Sequence, residues 1–145
     1  MKTAKNLWTQ AHKKSRFRIK YPSESVVRFI NSSFYKDRSK KKILDIGCGA
    51  GRHVKFLSEN KFRAYGVEIS KTGIYYTKKL LSQHNLKAEV TYSDMSNLPF
   101  KDDYFDATIS YGVFYYTDSK GMKNSINEMY RVMKKGGKSF INLRS

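Results

Sequence analysis

The stretch Lys42–Arg52, reading Lys-Ile-Leu-Asp-Ile-Gly-Cys-Gly-Ala-Gly-Arg, constrains this chain more than any other. Ile43, Leu44 and Ile46 form an apolar run of the length a buried parallel strand needs. Gly47, Gly49 and Gly51 follow at every second position, and Arg52–Asn60 then reads as helix. Strand, glycine turn and helix are the first half of a nucleotide-binding βαβ unit. Without a Cβ, glycine lets the turn bend sharply and a ligand approach the backbone closely. The helix start behind the turn offers unpaired N–H groups. A dinucleotide fingerprint needs G-x-G-x-x-G. Here its third glycine slot holds Arg52, and the pattern is G-x-G-x-G with Asp45 two residues ahead of the first glycine.

The rest of the chain alternates strands with helices. Arg63–Val67 reads as a second strand ending at Glu68, Ala88–Tyr92 as a third, Phe105–Tyr111 as a fourth and Ser139–Leu143 as a fifth. Between them, Ser70 caps a helix with Ile74, Thr77, Leu80 and Leu81 inward. Asp118 or Ser119 opens another, with Met122, Ile126, Met129, Tyr130 and Met133 on one stripe and Gly136-Gly137 as its stop. Ahead of the first strand, Ser23 and Glu24 open a helix whose face is Val26, Val27, Ile30 and Phe34. This alternation predicts an α/β fold with a doubly wound parallel sheet. Ligands of such sheets sit beyond the carboxyl ends of the strands, at the switch point of strand order. Two domain spans follow: a basic N-terminal arm and helix over residues 1–42, and the ligand-binding domain over residues 43–145.

The candidate residues all fall at strand carboxyl ends. Glu68 comes 21 residues after Gly47, where a carboxylate can accept hydrogen bonds from both hydroxyls of a ribose. Asp94 and Met95 follow the third strand, although Asp after a strand is also a common turn former. Ser110-Tyr111-Gly112-Val113-Phe114-Tyr115-Tyr116 leaves the fourth strand, and its tyrosines can line an apolar pocket or simply pack the core.

Taken together, Asp45 with its glycine loop, Glu68, Asp94, Leu98-Pro99-Phe100 and Glu128–Gly137 resemble the class I methyltransferases that use S-adenosylmethionine. The resemblance is to the methyltransferase type-11 group, which includes quinone-biosynthesis enzymes, and it covers about Ile43 to Leu143. It implies a Rossmann-like methyltransferase fold with S-adenosyl-L-methionine as cofactor. The cofactor-binding positions it implies are Asp45, Gly47, Cys48, Gly49, Gly51, Glu68, Ile69, Asp94, Met95 and Tyr111. In the family, the Asp45 position lies near the methionyl moiety, the Asp94 position accepts from the adenine amino group, and the segment after the fourth strand faces the methyl group. Many relatives carry a His near the positions of Tyr115 and Tyr116. This chain does not, so the sequence names no catalytic residue. Relatives also continue past the fifth strand, so the sheet here is expected to be cut short, with self-association or a completing partner as consequences.

Charge bears on the methyl acceptor. The formal net charge is +17, and 13 of the 29 basic side chains fall in residues 1–42 against 2 acidic ones. Such an arm is either a solvated, Lys-rich surface or the footprint of a polyanion. Trp8, Phe17 and Tyr21 stand among those charges and predict an arm that closes over the ligand site. The expected acceptor is therefore a small molecule, with RNA, held by the arm, as the alternative. A non-catalytic S-adenosylmethionine-binding module and a nicotinamide-dependent half-domain are the other classes; Arg52 in the glycine slot argues against the latter. Cys48 is the only cysteine, which excludes a disulfide framework within the chain and suits a reducing, cytoplasmic setting. No apolar run is long enough to span a bilayer, and His12, His53 and His84 lie too far apart in sequence to suggest a metal site.

Overall fold

The computed structural model describes residues 3–143. Five parallel strands, β1 (Lys42–Ile46), β2 (Arg63–Glu68), β3 (Glu89–Tyr92), β4 (Phe105–Tyr111) and β5 (Met133–Asn142), form one sheet in the order β3-β2-β1-β4-β5. The order reverses at β1, whose Asp45 stands opposite Gly66 of β2 on one side and Ile109 of β4 on the other. The glycine loop therefore leaves the sheet at its switch point, where the crevice of a doubly wound sheet opens.

Alternation along β1 divides the core into two layers. Ile43 faces one layer, with Val26 and Ile30 of α2 (Glu24–Ser33), Val54 and Leu57 of α3 (Arg52–Glu59) and Leu81 of α4 (Lys71–Gln83). Leu44 and Ile46 face the other, with Val67, Phe105 and the inner side of α5 (Ser119–Val132). Each fully buried Ile or Leu contributes about 1.5–3 kcal/mol relative to exposure. The helix ends follow local chemistry. The Ser70 hydroxyl accepts the Gly73 N–H at 3.0 Å at the start of α4, and Asp118 caps α5 by accepting from Gly121 at 2.7 Å. Near the amino ends of the strands, Arg131 donates to Glu128, Asp102 and the carbonyls of Leu98 and Phe100, fastening the loop before β4 onto α5.

Two sequence expectations for this last helix fail. Ile126 and Tyr130 point to solvent, Tyr130 being 80% exposed; the buried face is Ser125, Met129 and Val132, with Met122 partly covered. Apolarity alone chose Ile126, whereas the 3-4-3 spacing from Met122 runs through Ser125. That serine satisfies its hydroxyl on the Gly121 carbonyl at 2.7 Å and so tolerates burial. Nor does Gly136-Gly137 stop the helix. The helix ends at Val132, and β5 begins at Met133. The register then jumps from Phe105↔Met133 to Ala107↔Lys138, so the two glycines lie in an irregular stretch of strand, with Gly136 at φ +73°.

The basic arm begins with α1 (Ala4–Ala11), which packs on α4, followed by a short 3-10 turn at Ser15–Phe17. Met1 and Lys2 of the expected arm lie outside the described residues. Among the described residues, no helix is long and apolar enough to cross a membrane.

Candidate cofactor site

The loop after β1 is held to β2 by its backbone: the N–H groups of Gly47 and Cys48 both donate to the Val67 carbonyl, at 2.8 and 3.0 Å. Gly47 sits at φ +70°, and a Cβ there would come within 2.5 Å of Val113, so neither the turn nor the close approach of the post-β4 segment tolerates a side chain. From α4, Thr77 donates to the Gly49 carbonyl at 2.9 Å and fixes the middle of the loop. Cys48 is buried between these contacts, and burial pushes its thiol pKa well up, as for an inert packing residue.

Two acids stand behind the loop. Glu68, at the end of β2, accepts the Gly49 N–H through Oε2 and the Ser70 N–H through Oε1, both at 2.8 Å. Each oxygen keeps a further lone pair for a hydroxyl. Burial raises the Glu68 pKa, and the backbone N–H groups partly offset that rise. Asp45 is more extreme. It is 2% exposed, and its Oδ2 has no hydrogen-bond partner. Burial raises its pKa to about 8; Arg52 pulls it down and Glu68 pushes it up. The nearest cation-capable group, His53 Nδ1, is 3.9 Å away, but burial and then Arg52 push the His53 pKa down to about 3. That contact is therefore not an ion pair at neutral pH. His53 Nε2 accepts the Ser23 N–H at 3.0 Å, which puts the ring proton on Nδ1, facing Asp45.

These elements surround a cavity of about 310 Å³. Gly47, Cys48, Gly49, Gly51, Glu68, Ile69, Asp94, Met95 and Tyr111 all line it, while Asp45 lies beneath the loop and out of the lining. Asp94 also forms a turn, its Oδ1 accepting from the N–H and hydroxyl of Ser96 at 2.8 and 2.7 Å. Trp8, Phe17 and Ile19 bring the arm over the cavity, and Trp8 meets Tyr116 edge to face at 4.8 Å between ring centroids. Tyr21, expected to help cover the site, is 76% exposed and stays off it; its carbonyl accepts from Arg52 instead, at 3.2 Å. Tyr115 turns toward the end of β5 and donates to Asn142.

His12 and His53 both line the cavity, and sequence reading singled out neither as a site residue. His53 carries a faint signal, since it follows Arg52 directly at the start of the motif helix. His12 carries none: its partner, Ser70, is 58 residues away.

A methyltransferase-domain family model matches residues 43–137. The chain belongs to this family, and its family match and parallel-sheet fold make it a class I, S-adenosylmethionine-dependent methyltransferase domain. It is 36% identical over 101 residues to a Mus musculus protein named "Probable tRNA methyltransferase 9B", covering 68% of this chain and 21% of that protein. It is 29% identical over 111 residues to the ubiquinone/menaquinone biosynthesis C-methyltransferase UbiE of Proteus mirabilis, covering 72% of this chain and 43% of that one. Its fold is similar to a crystal structure from Methanococcus maripaludis of a protein assigned as an S-adenosylmethionine-dependent methyltransferase. That match has a TM-score of 0.78 at 24% identity and covers 98% of this chain and 64% of the other. The chain thus spans between a fifth and under a half of the length of these two curated relatives.

Proposed function

We propose that this chain holds S-adenosylmethionine in the cavity at the switch point and transfers its methyl group to a small-molecule acceptor. In this reading residues 43–145 hold the cofactor, and residues 1–42 form the covering arm and a packing helix. The observation that carries it is convergence: the glycine loop, Glu68 and Asp94 come from three strands and meet around one cavity. Beneath it lies a buried carboxylate oxygen, on Asp45, with no protein partner. Glu68 would take the ribose hydroxyls beside Ile69. Asp94 and Met95 would border the adenine. Gly47, Cys48, Gly49 and Gly51 would lie along the backbone-lined wall, with Tyr111 at the acceptor end. The orphaned Asp45 oxygen suits the positive charge of the methionyl end, and that charge would bring its pKa back down.

The cofactor supplies an already activated methyl group on a sulfonium. The residues of this chain therefore need to bind, align and exclude water more than to move a proton. The aromatic roof of Trp8, Phe17 and Tyr116 serves the exclusion. It also supports a small, largely apolar acceptor, because Trp8, Phe17 and Tyr116 present aromatic surface to the cavity.

One further reading has its own support. The net charge of +17 and the 36% identity to a protein named for tRNA methylation favour RNA as acceptor. Labelled methyl transfer into a metabolite extract, compared with transfer into total RNA, separates the two. Label in the small-molecule fraction supports the first reading. Label in RNA, with binding that weakens steeply as salt rises, replaces it with the second. Appearance of S-adenosylhomocysteine in either fraction separates an enzyme from a binding module. Calorimetry with S-adenosylhomocysteine against NAD tests the cofactor itself; preference for NAD would end the proposal. We place the protein in the cytoplasm, on its single cysteine.

A further inference from the structure

The N-terminal arm is fastened across the cavity at three points. Arg18 donates to the His12 and Lys13 carbonyls at 2.8 and 2.9 Å and lies 4.0 Å over the Tyr76 ring of α4. Trp8 meets Tyr116 of the post-β4 segment. Between these, His12 is 4% exposed, stacks on Trp8 at 5.4 Å and places Nδ1 3.0 Å from the Ser70 hydroxyl. That hydroxyl accepts the Gly73 N–H, and its own proton is available to a neutral His12 ring. Ser70 in turn donates its own N–H to Glu68. The other edge of the ring abuts the glycine loop: a Cβ on Gly49 would be 3.3 Å from Nε2.

We propose that His12 is a positioning residue of the cofactor site: as a neutral imidazole it accepts the Ser70 proton and latches the arm over the bound cofactor, and protonation releases the latch. This rests on the S-adenosylmethionine reading of the cavity. A protonated ring would place a charge on a side chain that is 4% exposed, stacked on Trp8, and whose own carbonyl already holds the Arg18 guanidinium. Among the described residues, the charged groups facing His12 are Arg18 from its own segment and, through Ser70, Glu68 at the end of β2; from α4 and the glycine loop, Ser70, Gly73 and Gly49 lie against the ring. Burial, and then Arg18, lower the His12 pKa below the ordinary 6.5. A base whose pKa is lower in the closed arm binds its proton more tightly in the open arm. Closure is thus fully supported above pH 6.5 and weakens as pH falls from there toward the closed-state value, by up to tenfold per pH unit.

Trp8 is the only tryptophan, and it stacks on His12, so its fluorescence reads the latch with no cofactor present. In the wild-type chain, emission should quench and shift to the red on acidification, with a midpoint below 6.5; in His12→Leu and His12→Asn this transition should be absent. The asparagine amide can accept from Ser70 as Nδ1 does, but it does not titrate. Affinity for S-adenosylhomocysteine at pH 8 should fall about tenfold in His12→Leu and largely recover in His12→Asn, whose remaining pH dependence belongs to Asp45. A Trp8 transition that persists unchanged in His12→Asn overturns the proposal, and this holds even where His12→Leu fails to fold. So does unchanged affinity in a folded His12→Leu. Failure of the wild type to bind S-adenosylhomocysteine at any pH overturns the cofactor reading instead, and the fluorescence arm still decides whether His12 is the latch.

Discussion

The two ends of the sheet treat acidic side chains in opposite ways. Near the strands' amino ends, Asp106 sits 3.2 Å from Lys134 and accepts the Lys42 N–H at 2.8 Å, and Glu128 is clasped by Arg131. The Arg131 hydrogen bonds hold the Glu128 pKa below its usual range. At the carboxyl ends, Glu68 is satisfied only by backbone N–H groups, Asp45 has a bare oxygen, and burial raises the pKa of both. A carboxylate that serves stability is given a cation by its own chain. In the proposed function the carboxylates at the other end are left for a ligand's charge and hydroxyls to satisfy, and the fold bears the desolvation cost.

The largest effect should come from closing the carboxyl-end cavity. Gly49 has φ +56° and His12 beside it, so Gly49→Val is expected to weaken S-adenosylhomocysteine binding on the order of a hundredfold in calorimetry. Affinity within threefold of wild type would remove the loop from the site. At the opposite end, Arg131→Ala removes the Arg131 donor from the carbonyls of Leu98 and Phe100 and leaves Glu128 with the Leu98 N–H alone. Chemical denaturation should show a loss of about 2 kcal/mol, with cofactor affinity unchanged. A matching loss of affinity would mean that the two ends are not independent.

Asp45→Asn should have the reverse profile: roughly tenfold weaker cofactor binding but equal or greater stability. The sign with pH is definite. The folded pKa of Asp45, about 8, lies above its ordinary 3.8, so folding favours the protonated form; that advantage is present below pH 3.8 and is lost as pH rises toward 8. The melting temperature of Asp45→Asn should therefore gain on wild type between pH 5 and pH 8, and parallel curves would refute the buried-charge account. Glu128 has the opposite sign: its stabilisation is present above the ordinary 4.5 and disappears as pH falls through the lowered value. The smallest effect belongs to Lys134→Ala. Its partly exposed pair with Asp106 should be worth at most about 0.5–1 kcal/mol in denaturation, because solvent screens it and Lys41 stands by at 3.7 Å.

Much of this site was legible because it is local. Asp45 through Gly51 is one continuous stretch, and Glu68 ends, and Asp94 closely follows, a strand whose limits the apolar pattern gives to within a residue. The same pattern misled at α5, where Ile126 is as apolar as Met129 and only contact with the sheet decides which one is buried. The sequence by itself determined the alternation of strand and helix, the position of the glycine turn and the acids at the strand ends, since these depend on spacing and on each residue's own conformational preferences. Tertiary structure alone decided that Asp45 lacks a partner, that His53 is neutral beside it, and that His12 reaches Ser70 from the far end of the chain. Hydrogen bonding and desolvation depend on neighbours in space, and those of these three groups include Ser23, Glu68 and Ser70, each far from its partner in sequence.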